Sequence, residues 1–424
     1  MKVLVMGLGR FGGGAAVARW HAERGHDVTV TDLRTEAELA DSVSSIARFG
    51  VKLRLGRHSE TDFVSTDRLV VNQAVPFDNG LVALAKSHGV EVVTELGLTL
   101  KELRGPILAI TGTNGKSTTS ALAASMLERS GVPVILGGNI GRSLLNEAAA
   151  LSEQTVAVLE ISSFQLAWLE HDGLAPSTVV VTNVSGDHFD KHPDVAHYRQ
   201  SKARLVESAT AHATVVLRED DPVCRDYASL CRGRIVWFGP GRDSPVALDG
   251  LRLLGEHNRQ NAAAAAHAAL SLGASESGCL EAIAAFQPLP HRLERIATRD
   301  GAVCIDDSVS TTPEAAAAAV RALPGPVLLL SGGRDKGLDW NPLLAAAKHV
   351  KGVIVYGETG ARLCKSLPNS YLGDNFDSAV RMALELARPG DFILLSPGFS
   401  SYDEFPGFDA RGRRFRELVG VAPS

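Results

Sequence analysis

Short apolar runs alternate with longer helical stretches almost from one end of this chain to the other, and that alternation limits what it can fold into. In the first third the runs fall at residues 3–6, 28–31, 69–71 and 90–93, with helical patterns at 15–24, 36–49 and 79–87. A strand that feeds a helix and then another strand builds a mainly parallel sheet covered on both faces. TELGLTLKELRG then reads as a connecting segment or short helix. The series restarts at PILAITGTNGKSTT, with apolar runs at 156–159, 178–181, 214–217 and 234–237 and helices around 259–272 and 276–286. The turn-rich FQPLPHR at 286–292 marks the next boundary. A third series follows at 303–305, 327–330, 353–355 and 392–395. These are three α/β units of roughly 100, 190 and 130 residues, the number the length of the chain suggests.

Composition narrows the function. The net charge of −5 argues against a nucleic-acid partner, which calls for a basic excess. The five cysteines are scattered, with no CxxC pair, and suit neither a disulfide framework nor a zinc site. No apolar run approaches the roughly 20 residues that cross a bilayer. The Ala-rich NAAAAAHAALSLGA at 261–274 suits a close-packed core helix. No leader pattern precedes the first run, so we expect a cytoplasmic protein without membrane contact.

Two glycine loops carry the first chemistry. GLGRFG places Gly7, Gly9 and Gly12 after a strand, with Asp32 twenty residues on at the end of DVTVTD. That is a dinucleotide-binding fingerprint, and taken alone it suggests an NAD-dependent dehydrogenase. ITGTNGKSTT at 110–119 changes the reading. A strand ends, a small polar loop follows, and Gly115-Lys116-Ser117 opens a helix. Backbone N–H groups of such a loop cradle phosphate oxygens, the lysine reaches the β/γ-phosphates and the serine hydroxyl ligates Mg²⁺. The strict GxxxxGK[ST] spacing is not met, because Ile110 stands where the first glycine belongs. Two phosphate-type loops on consecutive domains suggest two nucleotide-bearing ligands, ATP at Lys116 and a second held by Gly7–Gly12. A GxGxxG turn grips a pyrophosphate whether nicotinamide or a sugar lies beyond it.

Downstream, AVLEISSFQL puts Glu160 at the end of a buried strand, where ligands gather in parallel sheets. It reads as a Mg²⁺ ligand or as a capping or salt-bridged glutamate. VVVTNVSGDHFDKH presents Asn183, Asp187, His188 and Asp190 after the next strand, with His188 a ligand candidate. Lys202, on the helical YRQSKARL, reads by composition as a solvated surface charge. Asn258 and Asn261 of GEHNRQN share a helix face. They suit an adenine edge or phosphate, or Asn258 caps the helix.

Taken together, GTNGKST, LEISSFQL, VTNVSGDHFDKH, GEHNRQNAAAA and LPHRLE resemble the Mur ligase family, in the family's order and over essentially the whole chain. SPGFSSYDEF and FDARGRRF point to its glutamate-adding branch. The resemblance implies an α/β fold of three domains: a Rossmann-like UDP-substrate domain at 1–94, a central P-loop ATPase domain at 95–289 and a Rossmann-like amino-acid domain at 290–424. It implies an ATP-dependent amide ligase of peptidoglycan precursor synthesis. That enzyme would add glutamate, D-glutamate expected, to UDP-N-acetylmuramoyl-L-alanine through an acyl phosphate, with ATP, two Mg²⁺ ions and a monomeric chain.

The same resemblance implies the site. Lys116, Glu160, His188 and Lys202 would be catalytic. Gly112, Thr113, Asn114, Gly115, Lys116, Ser117, Thr118, His257, Asn258, Asn261, Arg292 and Asp307 would bind ATP. Gly7, Gly9, Arg10, Phe11, Gly12, Asp32, Arg34, Asn139, Gln165 and His188 would hold the UDP-substrate. Ser117, Glu160, His188 and a carbamylated Lys202 would ligate metal. Thr311, Lys336, Ser401 and Phe408 would frame the amino acid.

The chain departs from the family in two places. DDSVSTTPE replaces a D-S-K-A-T-N segment, so Val309 stands at the lysine position and Thr312 at the asparagine position; NQAVP at 72–76 replaces a serine-proline-glycine turn. These changes leave open an L-glutamate-adding ligase working with an epimerase. A folylpolyglutamate synthase-like ligase is a further alternative, disfavoured by the full domain before the P-loop.

Overall fold

The computed structural model describes residues 1–9, 12–140, 143–169, 173–185 and 192–421. Its strands fall into three sheets. The first comprises β1 (Lys2–Met6), β2 (Asp27–Asp32), β3 (Lys52–Leu55), β4 (Arg68–Val71) and β5 (Glu91–Thr94), in the order β3-β2-β1-β4-β5. The second comprises β6 (Ile107–Thr111), β7 (Val134–Gly138), β8 (Val156–Glu160), β9 (Thr178–Val181), β10 (Thr214–Arg218) and β11 (Arg234–Phe238), in the order β11-β10-β9-β6-β8-β7. The pairs in both sheets are parallel, as the βα alternation requires. The third comprises β12 (Glu294–Arg299), β13 (Ala302–Asp306), β14 (Val327–Gly332), β15 (Gly352–Tyr356), β16 (Ser370–Leu372) and β17 (Phe392–Gly398), in the order β12-β13-β17-β14-β15-β16. Only its edge pair β12–β13 is antiparallel. The fold is α/β throughout.

Each sheet is apolar on both faces, with separate clusters beneath the helices of each side. In the central sheet Ala109, Leu159 and Val181 face one cluster, and Leu108, Ile110, Val158 and Val180 face the other. The Ala-rich stretch is the helix Glu256–Ser271, whose small side chains let it lie against the P-loop helix Lys116–Arg129. Among the described residues no helix is long and apolar enough to cross a membrane.

The first glycine turn works partly as expected. Gly7, Gly9 and Gly12 have φ of 95°, 67° and 84°, the left-handed region that glycine enters without penalty. The close helix–strand approach is made at Gly14, where a Cβ would overlap the carbonyls of Gly7 and Leu8.

His21, on the helix that follows, is fully buried and its Nδ1 lies 2.8 Å from His26 Nδ1. Burial first, then the positive field of Arg68, His26 and Arg24, pushes its pKa down to about 3. The unfolded chain binds this proton below about 6.5, whereas the folded chain does not until far lower. Stability is therefore expected to fall as pH drops from about 6.5 toward 3, by about 5 kcal/mol at most. His21→Phe should flatten that part of a melting-temperature-against-pH curve. Equal slopes in the two proteins would contradict it.

Candidate active site

The second glycine loop runs from β6 into the helix Lys116–Arg129, with Gly115 at the N-cap in the left-handed region (φ 86°). Its other side is braced by the segment after β9. Thr113 N donates to Asn183 O (2.8 Å) and Asn114 N to Asn183 Oδ1 (3.0 Å). Thr182 Oγ1 and Asn183 Nδ2 both donate to Asn114 O (2.6 and 2.9 Å). The amides of Thr113 and Asn114 are thus committed to Asn183, and phosphate oxygens would be met by amides at the start of the helix. A Cβ at Gly112 would overlap Thr182 Oγ1, and one at Gly115 would overlap Asn261 Oδ1. Gly115 therefore lets the Asn261 side chain lie directly against the loop.

Asn258 and Asn261 share a face, as their spacing predicts, and are bonded to each other (3.2 Å). Asn258 is not the cap: Gly255 holds that position, and Asn258 Nδ2 donates back to Leu254 O (2.8 Å). His257 is pushed below the usual histidine range by burial, with Arg321 and Arg218 adding to it.

Both lysines are folded onto the loop. Lys116 Nζ donates to Gly112 O and Thr113 O (3.0 and 2.8 Å). Lys202, read by composition as a surface charge, is 1% exposed. Its Nζ donates to Gly112 O (2.7 Å) and stands 4.8 Å over the Tyr198 ring. Tyr198 OH in turn lies 2.8 Å from Thr113 Oγ1. Tyr198 was not singled out from sequence, because a lone tyrosine on a helix carries no motif.

Glu160 ends β8 and is 2% exposed. Its Oε1 accepts from Asn139 Nδ2 (2.8 Å), while Oε2 is buried with no hydrogen-bond partner. It neither caps a helix nor forms an ion pair among the described residues. An orphaned buried carboxylate oxygen is costly unless a cation meets it, so the residues present fit a hard cation such as Mg²⁺. Ser117 Oγ is the second oxygen expected there. Among the described residues no three His, Cys, Asp or Glu side chains cluster as a metal site by themselves. His188 lies outside the described residues, as do Arg10 and Phe11.

Arg292 reaches the P-loop from the start of the third sheet's region, with Nη2 donating to Ser117 Oγ (2.9 Å). It sits between His291 (φ 62°) and Leu293 (φ 45°), two left-handed non-glycine residues. Such strain persists only where the surroundings hold it. Here His291 Nδ1 is 2.6 Å from Asp306 Oδ2, and Leu293 N donates to Asp307 Oδ1 (3.1 Å). Asp307 is 4% exposed, and burial pushes its pKa up to about 7 against the hydrogen bonds from Ser310, Ser396 and Leu293 and the Arg292 charge.

A cavity of about 350 Å³ lies between the first and second sheets, lined among others by Gly7, Gly9, Arg34, Asn139 and Gln165. Asn72, Gln73 and Glu95 line it too and were not expected. Gln73, within the divergent NQAVP, accepts from Ser162 Oγ (3.2 Å) and so links the two domains. Gly12 and Asp32 are not on the cavity wall. Asp32 is 7% exposed and accepts from Gly9 N (3.2 Å) and Arg34 N (2.9 Å), so it braces the turn from behind.

In the third domain Lys336 Nζ donates to Thr311 Oγ1 (3.1 Å), bringing those two together. Ser401 is buried and Phe408 is exposed. Thr312 caps the helix Pro313–Arg321, accepting from Ala315 N (3.3 Å). Cys224 and Cys279 are fully buried in the core, and His267 is half-buried on the Ala-rich helix.

Comparison with known proteins agrees with this geometry. Residues 1–94 match the MurD-like N-terminal domain of Mur ligases, residues 110–246 the Mur ligase middle domain and residues 291–399 the glutamate ligase domain of Mur ligases. The chain is 34% identical to UDP-N-acetylmuramoylalanine--D-glutamate ligase of Geotalea uraniireducens, over 99% of this chain and 97% of that one. It is 33% identical to the protein of the same name from Symbiobacterium thermophilum, over 95% of each. Among solved structures it resembles UDP-N-acetylmuramate-alanine ligase MurC of Thermotoga maritima, with TM-score 0.64, 20% identity and 98% of each chain covered. A pseudomurein peptide ligase type C of Methanothermus fervidus gives TM-score 0.60 at 20% identity, with 99% of each chain covered. With three matching domains in order and relatives at this identity over almost the full length, the chain belongs to the Mur ligase family and is a ligase.

Proposed function

We propose that the chain joins D-glutamate to UDP-N-acetylmuramoyl-L-alanine, driven by ATP, in peptidoglycan precursor synthesis. The observation that carries this reading is that Glu160, buried and tied to the cavity wall through Asn139, lies within the field of Arg292, which is bonded to the P-loop serine. A carboxylate held in the cavity would thereby be led to the phosphate loop. The glycine turn then grips the pyrophosphate of a UDP-sugar, and nicotinamide is not required.

A carboxylate is a poor acyl donor. Its oxygen attacks the γ-phosphorus of ATP, ADP leaves and an acyl phosphate forms. The glutamate amine attacks the acyl carbon, the C–O bond to phosphate breaks and the nitrogen gives up a proton. Lys116 supplies a fixed charge at the transferring group, and Arg292 a second from the third domain. Ser117 and Glu160 would hold one magnesium ion, His188 and a carbamylated Lys202 a second; such ions neutralise crowded phosphate oxygens when bound. Closure by the third domain keeps water from the acyl phosphate. Thr311, Lys336, Ser401 and Phe408 receive the amino acid.

Val309 favours a second reading, in which the amino acid is L-glutamate and an epimerase follows. A valine cannot make the ionic contact of a lysine. Phosphate release with ATP, Mg²⁺ and UDP-N-acetylmuramoyl-L-alanine separates the two. Release is expected with D-glutamate; release with L-glutamate alone would establish the second reading, and release with neither would overturn both.

A further inference from the structure

Among the described residues the largest fully buried side chain is a cation, Arg411, 0% exposed on the helix Phe408–Leu418. No carboxylate among the described residues pairs with it. Its donors go to neutral oxygens instead: Nε to Ser308 Oγ (3.1 Å), Nη2 to Ser308 O (3.0 Å), and Nη1 and Nη2 to Phe399 O (both 3.3 Å). Ser308 Oγ passes the chain on, donating to Phe408 O (2.7 Å). A Cβ at Gly333 would stand 3.3 Å from Arg411 Nη1, so a third loop closes over the guanidinium.

These three loops follow β13, β17 and β14, the adjacent parallel strands at the centre of the third sheet. They carry Thr311, Ser401 and Lys336, and the helix of Arg411 begins at Phe408. The loops are otherwise joined by few bonds, among them Arg334 N to Ser400 O (2.8 Å) and Gly398 N to Ser310 O (2.9 Å). A buried cation bonded only to neutral oxygens is costly, and an apolar side chain of similar volume would pack there with less penalty. A planar fork of five donors is what joins several carbonyls at fixed spacing.

We propose that Arg411 is a positioning residue for the amino-acid subsite. With Ser308 it fixes the separation of the loops that hold the incoming amino acid. The inference rests on the placement of the amino-acid subsite proposed above.

The test is steady-state ADP release by the full-length enzyme, reading KM for D-glutamate against KM for ATP. Arg411→Lys keeps the charge but cannot span both loops. It is expected to raise KM for D-glutamate about tenfold, with KM for ATP changed less than about twofold. Ser308→Ala, the milder variant, should move the same constant in the same direction. Lys336→Ala controls for the subsite itself. If it raises KM for D-glutamate while Arg411→Lys and Ser308→Ala do not, the proposal is wrong and the subsite stands. If all three leave that constant unchanged, the subsite is misplaced and the proposal falls with it. A parallel rise in KM for ATP would reduce Arg411 to a general structural role and overturn the proposal.

Discussion

Lys116→Ala is expected to lower kcat by about 10³-fold or more, because the transferring phosphoryl group loses a fixed charge in a preorganised loop. Lys116 Nζ bonds Gly112 O and Thr113 O, so the substitution also removes two bonds that hold the loop. Two readouts separate these effects. Loss of charge at the transition state lowers kcat, while a loosened loop raises KM for ATP as well. Lys116→Met, which keeps much of the side chain's bulk without its charge, should be as inactive as Lys116→Ala. Near wild-type turnover in either variant would remove the phosphate-binding role from this loop.

Lys202→Ala is expected to cost about 10²-fold or more in kcat, and its rescue identifies the chemical form that acts. The side chain is buried against Gly112 O and the Tyr198 ring, too deep for an ordinary surface lysine. If a carbamate forms on Nζ during turnover, a short carboxylate such as acetate should restore part of the activity by occupying the vacated space. Restoration by a short amine instead would show that the ammonium itself acts. Full activity without any additive would leave Lys202 as a buried structural cation.

Much of this architecture was legible in the sequence, and the omissions share a physical cause. The apolar runs read correctly belong mostly to strands flanked on both sides, such as β1, β6, β8 and β17, which must be apolar on two faces. The strands passed over, β3, β7, β12 and β16, each form a sheet edge. KLRL of β3 and ERIATR of β12 hold only half-exposed and exposed positions and resemble loop or turn sequence as much as strand. The helical pattern at 36–49 is broken in the structure into two 3₁₀ turns around Ala40–Ile46.

Site chemistry was legible where it lies on one contiguous segment. The glycine loop is nearly complete in ITGTNGKSTT because strand end, loop and helix start follow one another in sequence. Asp32 has the spacing of the fingerprint, but its bonds to Gly9 N and Arg34 N behind the turn are not visible in that spacing. Lys202, Tyr198 and Arg411 depend on burial created by distant segments. The left-handed backbone that presents Arg292 is likewise invisible in LPHRLE, because neither histidine nor leucine advertises a positive φ.

The central claim is that the cavity's carboxylate and the phosphate loop act on each other through an acyl phosphate. Its most direct test is the fate of oxygen-18 placed in the carboxylate of UDP-N-acetylmuramoyl-L-alanine during turnover with ATP, Mg²⁺ and D-glutamate. One labelled oxygen is expected in each phosphate released, carried across when the amine displaces it from the acyl carbon. Amide product accompanied by unlabelled phosphate would contradict the claim.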